Sequence, residues 1–223
     1  MTILINQSLF TNNQSHKFMF KNKFFLLSVL AVVVAIIAYS FIGNEEAKSS
    51  QSVDNEYVKS IQNIRSDKDS YLKKDTASPI EDKVKFVGLK YFEVNPAFKV
   101  TGKIDKVTSG QTINITMSGG EVEEYEAYGN VKFEIEGVKC VLKIFKTPEG
   151  NLFLPFKDFT SNKETYGAGR YLDFGVNDVN GNEITIDFNK AYHPYCAYNH
   201  TFTCPVPPAE NTLNVAVKAG ERL

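Results

Sequence analysis

Residues 24–43 read FFLLSVLAVVVAIIAYSFIG, twenty consecutive positions without a charge. At 1.5 Å per helical residue such a run is long enough to cross a hydrocarbon core of roughly 30 Å. Uniform apolarity leaves it no polar face, which argues against a helix packed on a globular core. Lys17, Lys21 and Lys23 precede the run and no acidic residue occurs before it, while Glu45 and Glu46 follow directly. The positive-inside bias therefore predicts a single-pass signal anchor with residues 1–23 in the cytoplasm and the remainder outside it, periplasmic or at the cell surface. The alternative is a cleaved signal peptide ending near Ala38-Tyr39-Ser40, which exports the same domain.

The segment 44–52 (NEEAKSSQS) is small and charged, and is expected to be a flexible spacer. That leaves residues 53–223 for one exported domain, of a size that ordinarily supports a single core. Its partners are bounded by charge. With 25 basic and 26 acidic residues the chain carries no excess positive field, so nucleic acid is not an expected partner.

Two periodicities divide this domain. Between residues 54 and 75 apolar side chains fall at Tyr57, Val58, Ile61, Ile64, Tyr71 and Leu72, close to the helical repeat, and predict one amphipathic helix with Arg65 and Asp69 on its outer face. After Ser78-Pro79 the pattern changes to short runs rich in Val, Ile, Phe and Tyr. Strands are expected at 84–91, 98–104, 112–117, 122–128, 131–135, 138–145, 152–156, 170–176, 184–188 and 213–217. Gly129-Asn130, Glu136-Gly137, Glu149-Gly150 and Asn180-Gly181 supply hairpin turns between neighbouring runs. The expected fold is mainly β, an antiparallel meander closing into a barrel or sandwich. The aromatic, proline-bearing stretch 189–212 has neither period, and a loop of that length is expected to close one end of the barrel.

Three constellations carry candidate chemistry. Asp158 and Thr160 precede the turn Tyr166-Gly167-Ala168-Gly169-Arg170, whose glycines can expose N–H groups and whose arginine offers a forked donor to an anion. The competing role is a loop lock in which Arg170 pairs with Asp158 or Asp187. Asp187 and Asn189, with Tyr192, stand where a strand ends and can converge on a polar ligand, or can cap the turn. Cys196 and Cys204 close a short loop and are expected to form a disulfide outside the cytoplasm, with Cys140 unpaired. His193, Cys196, His200 and Cys204 also have a spacing open to zinc, but Pro194 prevents a regular helix from presenting them, and no metal is expected. No nucleophile elbow occurs.

Asp158-Phe159-Thr160, the run from Thr165 to Tyr171, Asp187-Phe188-Asn189-Lys190-Ala191-Tyr192, Pro194, Cys196-Ala197-Tyr198 and Cys204-Pro205-Val206-Pro207-Pro208 with Glu210-Asn211 and Leu213 together resemble a known family. It comprises the bacterial and archaeal proteins grouped as domain of unknown function 1684. The resemblance runs from the amphipathic helix to the C-terminus, includes the two cysteines but not the two histidines, and implies no activity, substrate or cofactor. The function expected from all this is an exported, membrane-tethered domain that binds a small anionic or polar ligand or an envelope component. The rivals are an envelope hydrolase using Asp158 or Asp187 as base and an interaction module without a pocket.

Overall fold

The computed structural model describes the backbone over residues 23–223 and side chains over 27–37 and 54–223. Two compact units divide at Val53 and Asp54. Helix α1 covers Lys23–Lys74, so the backbone at 44–52 is helical where a spacer was expected. In the first unit the apolar side chains from Leu27 to Ile37 are exposed. Among the described residues no helix is long and apolar enough to cross a membrane, and the expected span 24–43 lies partly outside the described side chains. The expected cytoplasmic segment lies outside the described residues up to position 22.

The second unit is built on antiparallel strands. In chain order these are β1 (Lys90–Tyr91), β2 (Lys99–Lys106), β3 (Thr112–Thr116), β4 (Val122–Ile135), β5 (Val138–Lys146), β6 (Leu152–Phe156), β7 (Arg170–Phe174), β8 (Val179–Asn180), β9 (Glu183–Asp187) and β10 (Glu221–Arg222). Eight of them form one sheet in the order β7-β6-β5-β4-β2-β9-β8, with β3 on β4, and β1 pairs β10 separately. Among the described residues no ladder joins β7 to β8. The expected barrel is therefore an open, curved half-barrel.

Its curvature originates in β4. The two strands expected on either side of Gly129-Asn130 are one strand of 14 residues, bent by a register shift between Ala127 and Gly129. Its first half pairs β3 and its second half pairs β2. Gly129 serves close approach here, not a turn. A Cβ at that position would stand 2.7 Å from the Asp105 carbonyl oxygen of β2. The hairpin at Glu136-Gly137 does form, with both residues at positive φ. The runs expected at 84–91 and 213–217 reduce to the two residues of β1 and to irregular chain hydrogen-bonded to 157–159.

Strand parity explains the layers. Leu152, Leu154 and Phe156 of β6 join the main core with Ile144, Leu172, Ile186 and Phe188, whereas Phe153 points to the opposite face. There it meets Phe145, Tyr171, Ile115, Cys196 and Cys204. Both faces of these strands are buried, which is why 152–156 is an unbroken apolar run. The segment 191–206 thus covers a face of the sheet, and does not close a barrel end.

In the second unit α1 packs through Ile61 and Leu72, both fully buried. Polar contacts pin it as well. Arg65 Nη1 donates to the Phe92 carbonyl at 2.8 Å and its guanidinium lies over the Tyr91 ring, while Asp69 accepts from the Leu89 N–H at 3.1 Å. The two charges expected on the outer face instead hold the chain around β1.

Candidate functional site

The glycine turn after Thr165 is the first place where sequence pointed to a ligand. Arg170 opens β7 with only 1% of its side chain exposed. Its Nη2 donates to Asp158 Oδ2 at 2.7 Å and to the Val217 carbonyl at 2.7 Å. Nη1 donates to the carbonyls of Ala219 and Glu221. Burial alone lowers the guanidinium pKa, and the Asp158 charge opposes that shift. Asp158 is equally committed: Oδ1 accepts from the N–H and hydroxyl of Thr160, and Oδ2 also from the Val217 N–H at 3.3 Å. Neither of its oxygens is left for general-base work, which removes Asp158 from the hydrolase alternative.

The glycines belong to the same lock. Gly169 has φ +104°, and a Cβ on it would lie 2.6 Å from the Phe156 carbonyl oxygen; one on Gly167 would overlap the Asn162 side chain. The Gly169 N–H donates to the Tyr166 carbonyl at 3.0 Å and is thereby committed within the turn. Of the two roles open to Arg170, the geometry is that of the loop lock through Asp158.

Beside the lock lies a second buried network. His193, 2% exposed, accepts the Tyr166 N–H at Nε2, and its backbone N–H donates to Glu221 Oε2 at 2.7 Å. Tyr198 donates to the same oxygen and Lys68 pairs with Oε1, each at 2.5 Å. Burial, reinforced by Arg170 and Lys68, pushes the imidazole down to about 3, so it is neutral at ordinary pH. Cys196 and Cys204, expected to form a disulfide, are unbonded in the structure. They lie side by side, the Cys196 N–H donating to Cys204 Sγ at 3.3 Å, and burial pushes the Cys204 thiol up to about 11. The Tyr166 hydroxyl faces Cys196 Sγ at 3.9 Å. Among the described residues no group of three or more His, Cys, Asp or Glu side chains can hold a metal ion.

Asp187 and Asn189 stand elsewhere. Asp187 ends β9 and its Oδ1 accepts from the Tyr57 hydroxyl at 2.8 Å and from the Asn189 N–H at 3.1 Å. Asn189 in turn exchanges hydrogen bonds with the Asn95 backbone. These side chains cap the strand end and tie α1 to it. Asp187 Oδ2 accepts no hydrogen bond among the described residues and, in a residue 5% exposed overall, keeps contact with solvent. It borders a cleft of about 440 Å³ between α1 and the sheet, lined also by Tyr57, Lys99, Asp173, Thr185 and Lys190. Lys99 lies over the Tyr57 ring at 4.8 Å. Burial and the Asp187 contact raise the Tyr57 hydroxyl well above the usual phenol range, keeping it a donor.

Tyr192 falls outside this cleft. Its hydroxyl donates to Asp173 Oδ2 at 2.5 Å, and Asp173, exposed on β7, borders both the cleft and a neighbouring aromatic groove. The structure thus separates the expected residues. Asp158, Thr160, Gly167, Gly169 and Arg170 form the lock, Tyr166 packs against Cys196, Asp187 and Asn189 border the cleft, and Tyr192 enters the groove. Sequence reasoning missed Tyr57, Lys99 and Asp173. Tyr57 was legible only as an apolar helix position, while Lys99 opens β2 and Asp173 lies near the end of β7 with no motif to mark them.

A family model described as protein of unknown function (DUF1684) matches residues 84–222. The solution NMR structure of an uncharacterized protein from Haloarcula marismortui is similar, with 33% sequence identity and a TM-score of 0.60. The match covers 76% of this chain and 96% of that one. No curated protein matches.

Proposed function

The chain belongs to this family of proteins of unknown function, and we propose that it is a binding module, tethered outside the cytoplasm by residues 24–43, that takes a small polar ligand into the cleft between α1 and the sheet. One observation carries the reading: Asp187 has one oxygen locked by Tyr57 and Asn189 and the other without a partner at the cleft wall. That second oxygen keeps contact with solvent at the cleft, so water fills its hydrogen bonds until a ligand replaces it. The first oxygen's bonds hold the second in place, which is how a binding site is preorganised.

The lining narrows the ligand. Lys99 and Lys190 face Asp173, Asp178 and Asp187 across the same space. This mixture favours a molecule with hydroxyl or amine donors as well as acceptors over the simple anion expected when Arg170 was the anchor. The tether rests on the charge asymmetry of Lys17, Lys21 and Lys23 against Glu45 and Glu46.

Two measurements test the reading. A thermal-shift screen of the full chain in detergent against polyols, amino acids, amines and organic acids is expected to find a stabilising compound. At a hundred times its dissociation constant such a compound adds about 2.7 kcal/mol, and the effect should vanish in Asp187→Asn. No stabilisation by any compound, or stabilisation retained in the variant, would overturn the site. A phosphatase reporter fused after Leu223 is expected to be active, as it is only outside the cytoplasm; an inactive fusion made at normal levels would overturn the tether.

A further inference from the structure

We propose that the aromatic groove on the other side of Asp173 is a separate site for a neutral sugar ring. The groove has a volume of about 460 Å³, within the range of small-molecule pockets, and its lining includes Lys68, Tyr71, Asp173, Tyr192, Tyr195 and Phe202. These come from α1, from β7 and from the covering segment 191–206, so the site exists only where all three meet.

Charge decides the class of ligand. The Lys68 ammonium is paired with Glu221 at 2.5 Å and already lies over the Tyr192 ring, 4.5 Å from its centroid. A second cation entering to use these rings would meet that ammonium, which disfavours an alkylammonium cage. An anion would meet Asp173, whose Oδ2 is held by Tyr192 and whose Oδ1 accepts no hydrogen bond among the described residues. An ion of either sign thus meets one charge of its own sign beside one of the opposite sign, so neither sign is favoured.

A neutral polyhydroxylated ring is opposed by neither charge. Its C–H faces lie against aromatic surface, while its hydroxyls donate to the Asp173 carboxylate and accept from ammonium or phenol groups. The rings are held in place. Tyr195 meets Phe202 edge-to-face with centroids 5.4 Å apart, and its hydroxyl lies 3.4 Å from that of Tyr71 on α1. Tyr71 remains 38% exposed, so the helix presents an aromatic side chain at the groove instead of burying it.

Isothermal titration calorimetry on the full chain tests this, with glucose, N-acetylglucosamine and cellobiose as probes and choline and inorganic phosphate as comparators. Saturable binding of at least one sugar is expected. Tyr195→Leu, which keeps apolar bulk but removes the ring, and Asp173→Asn, at an exposed side chain, should each weaken it about tenfold or more. Phe159→Leu, on exposed surface apart from both sites, should leave it unchanged. If Tyr195→Leu does not fold, Phe202→Leu, at a ring that lines the groove and not the first cleft, takes its place. The proposal is overturned by no heat with any sugar, by choline or phosphate binding lost in Tyr195→Leu, or by sugar binding lost in Asp187→Asn but intact in Tyr195→Leu. That last result would place the sugar in the first cleft without disturbing the reading of that cleft.

Discussion

Arg170 Nη2 lies 2.7 Å from Asp158 Oδ2, with each side chain 1% exposed. The remaining donors on Nη1 and Nη2 reach three carbonyls of residues 217–221, so this pair draws the C-terminal chain onto the sheet. Removing one partner leaves a buried charge and several backbone acceptors unsatisfied. Arg170→Ala is expected to destabilise the fold by about 3–5 kcal/mol in denaturant unfolding, the cost of breaking a buried ion pair. Asp158→Asn should cost less than removal of the cation, and Arg170→Met with Asp158→Asn should cost less than the sum of the two single changes.

The neutral His193 makes stability depend on pH. Its folded value of about 3 lies below the ordinary imidazole value of 6.5, so the unfolded chain binds more protons between those limits. Stability from this residue is complete above pH 6.5 and falls as pH drops toward 3, with a slope approaching about 1.4 kcal/mol per pH unit. Unfolding measured from pH 7 to pH 4 should show a shallower decline in His193→Gln than in the wild type. Glu221, Lys68 and Arg170 remain in both proteins and cancel in the comparison.

Gly169→Ala places a Cβ against the Phe156 carbonyl in a left-handed conformation, whereas Gly150→Ala meets open space at a similar φ of +87°. Conformational strain alone costs on the order of 1 kcal/mol at Gly150, and the clash should bring Gly169→Ala to about 3 kcal/mol or more. Thermal melting of the two variants checks the order.

Tyr57→Phe removes the hydroxyl that donates to Asp187 and accepts from Asn189 at 3.0 Å. A loss of about 1–2 kcal/mol in unfolding free energy is expected. Asp187 Oδ1 then gains room to turn, so any ligand of the cleft should bind more weakly in this variant than in the wild type.

All three cysteines are buried thiols. A thiol reagent should react slowly with the native chain, and should then titrate three groups after unfolding without reductant. One titratable group would instead mean that Cys196 and Cys204 are joined.

The sequence alone determined the class of the fold, because strand and helix periods are local. The uninterrupted 152–156 and the turn at Glu136-Gly137 are readable from neighbours in the chain, and so is the helix that buries Ile61 and Leu72. It also located the pairing of Arg170 with an acidic residue as one of two roles. Tertiary structure alone decided between them, since the carbonyls of Val217, Ala219 and Glu221 that enclose Arg170 lie some fifty residues away along the chain. The same holds for Gly129, whose reading as a turn fails because β2 approaches it across the sheet. The cleft and the groove were illegible for a related reason. Tyr57, Lys99, Asp173 and Asp187 belong to different elements with no shared period, and only the packing of α1 on the half-barrel sets them around common space.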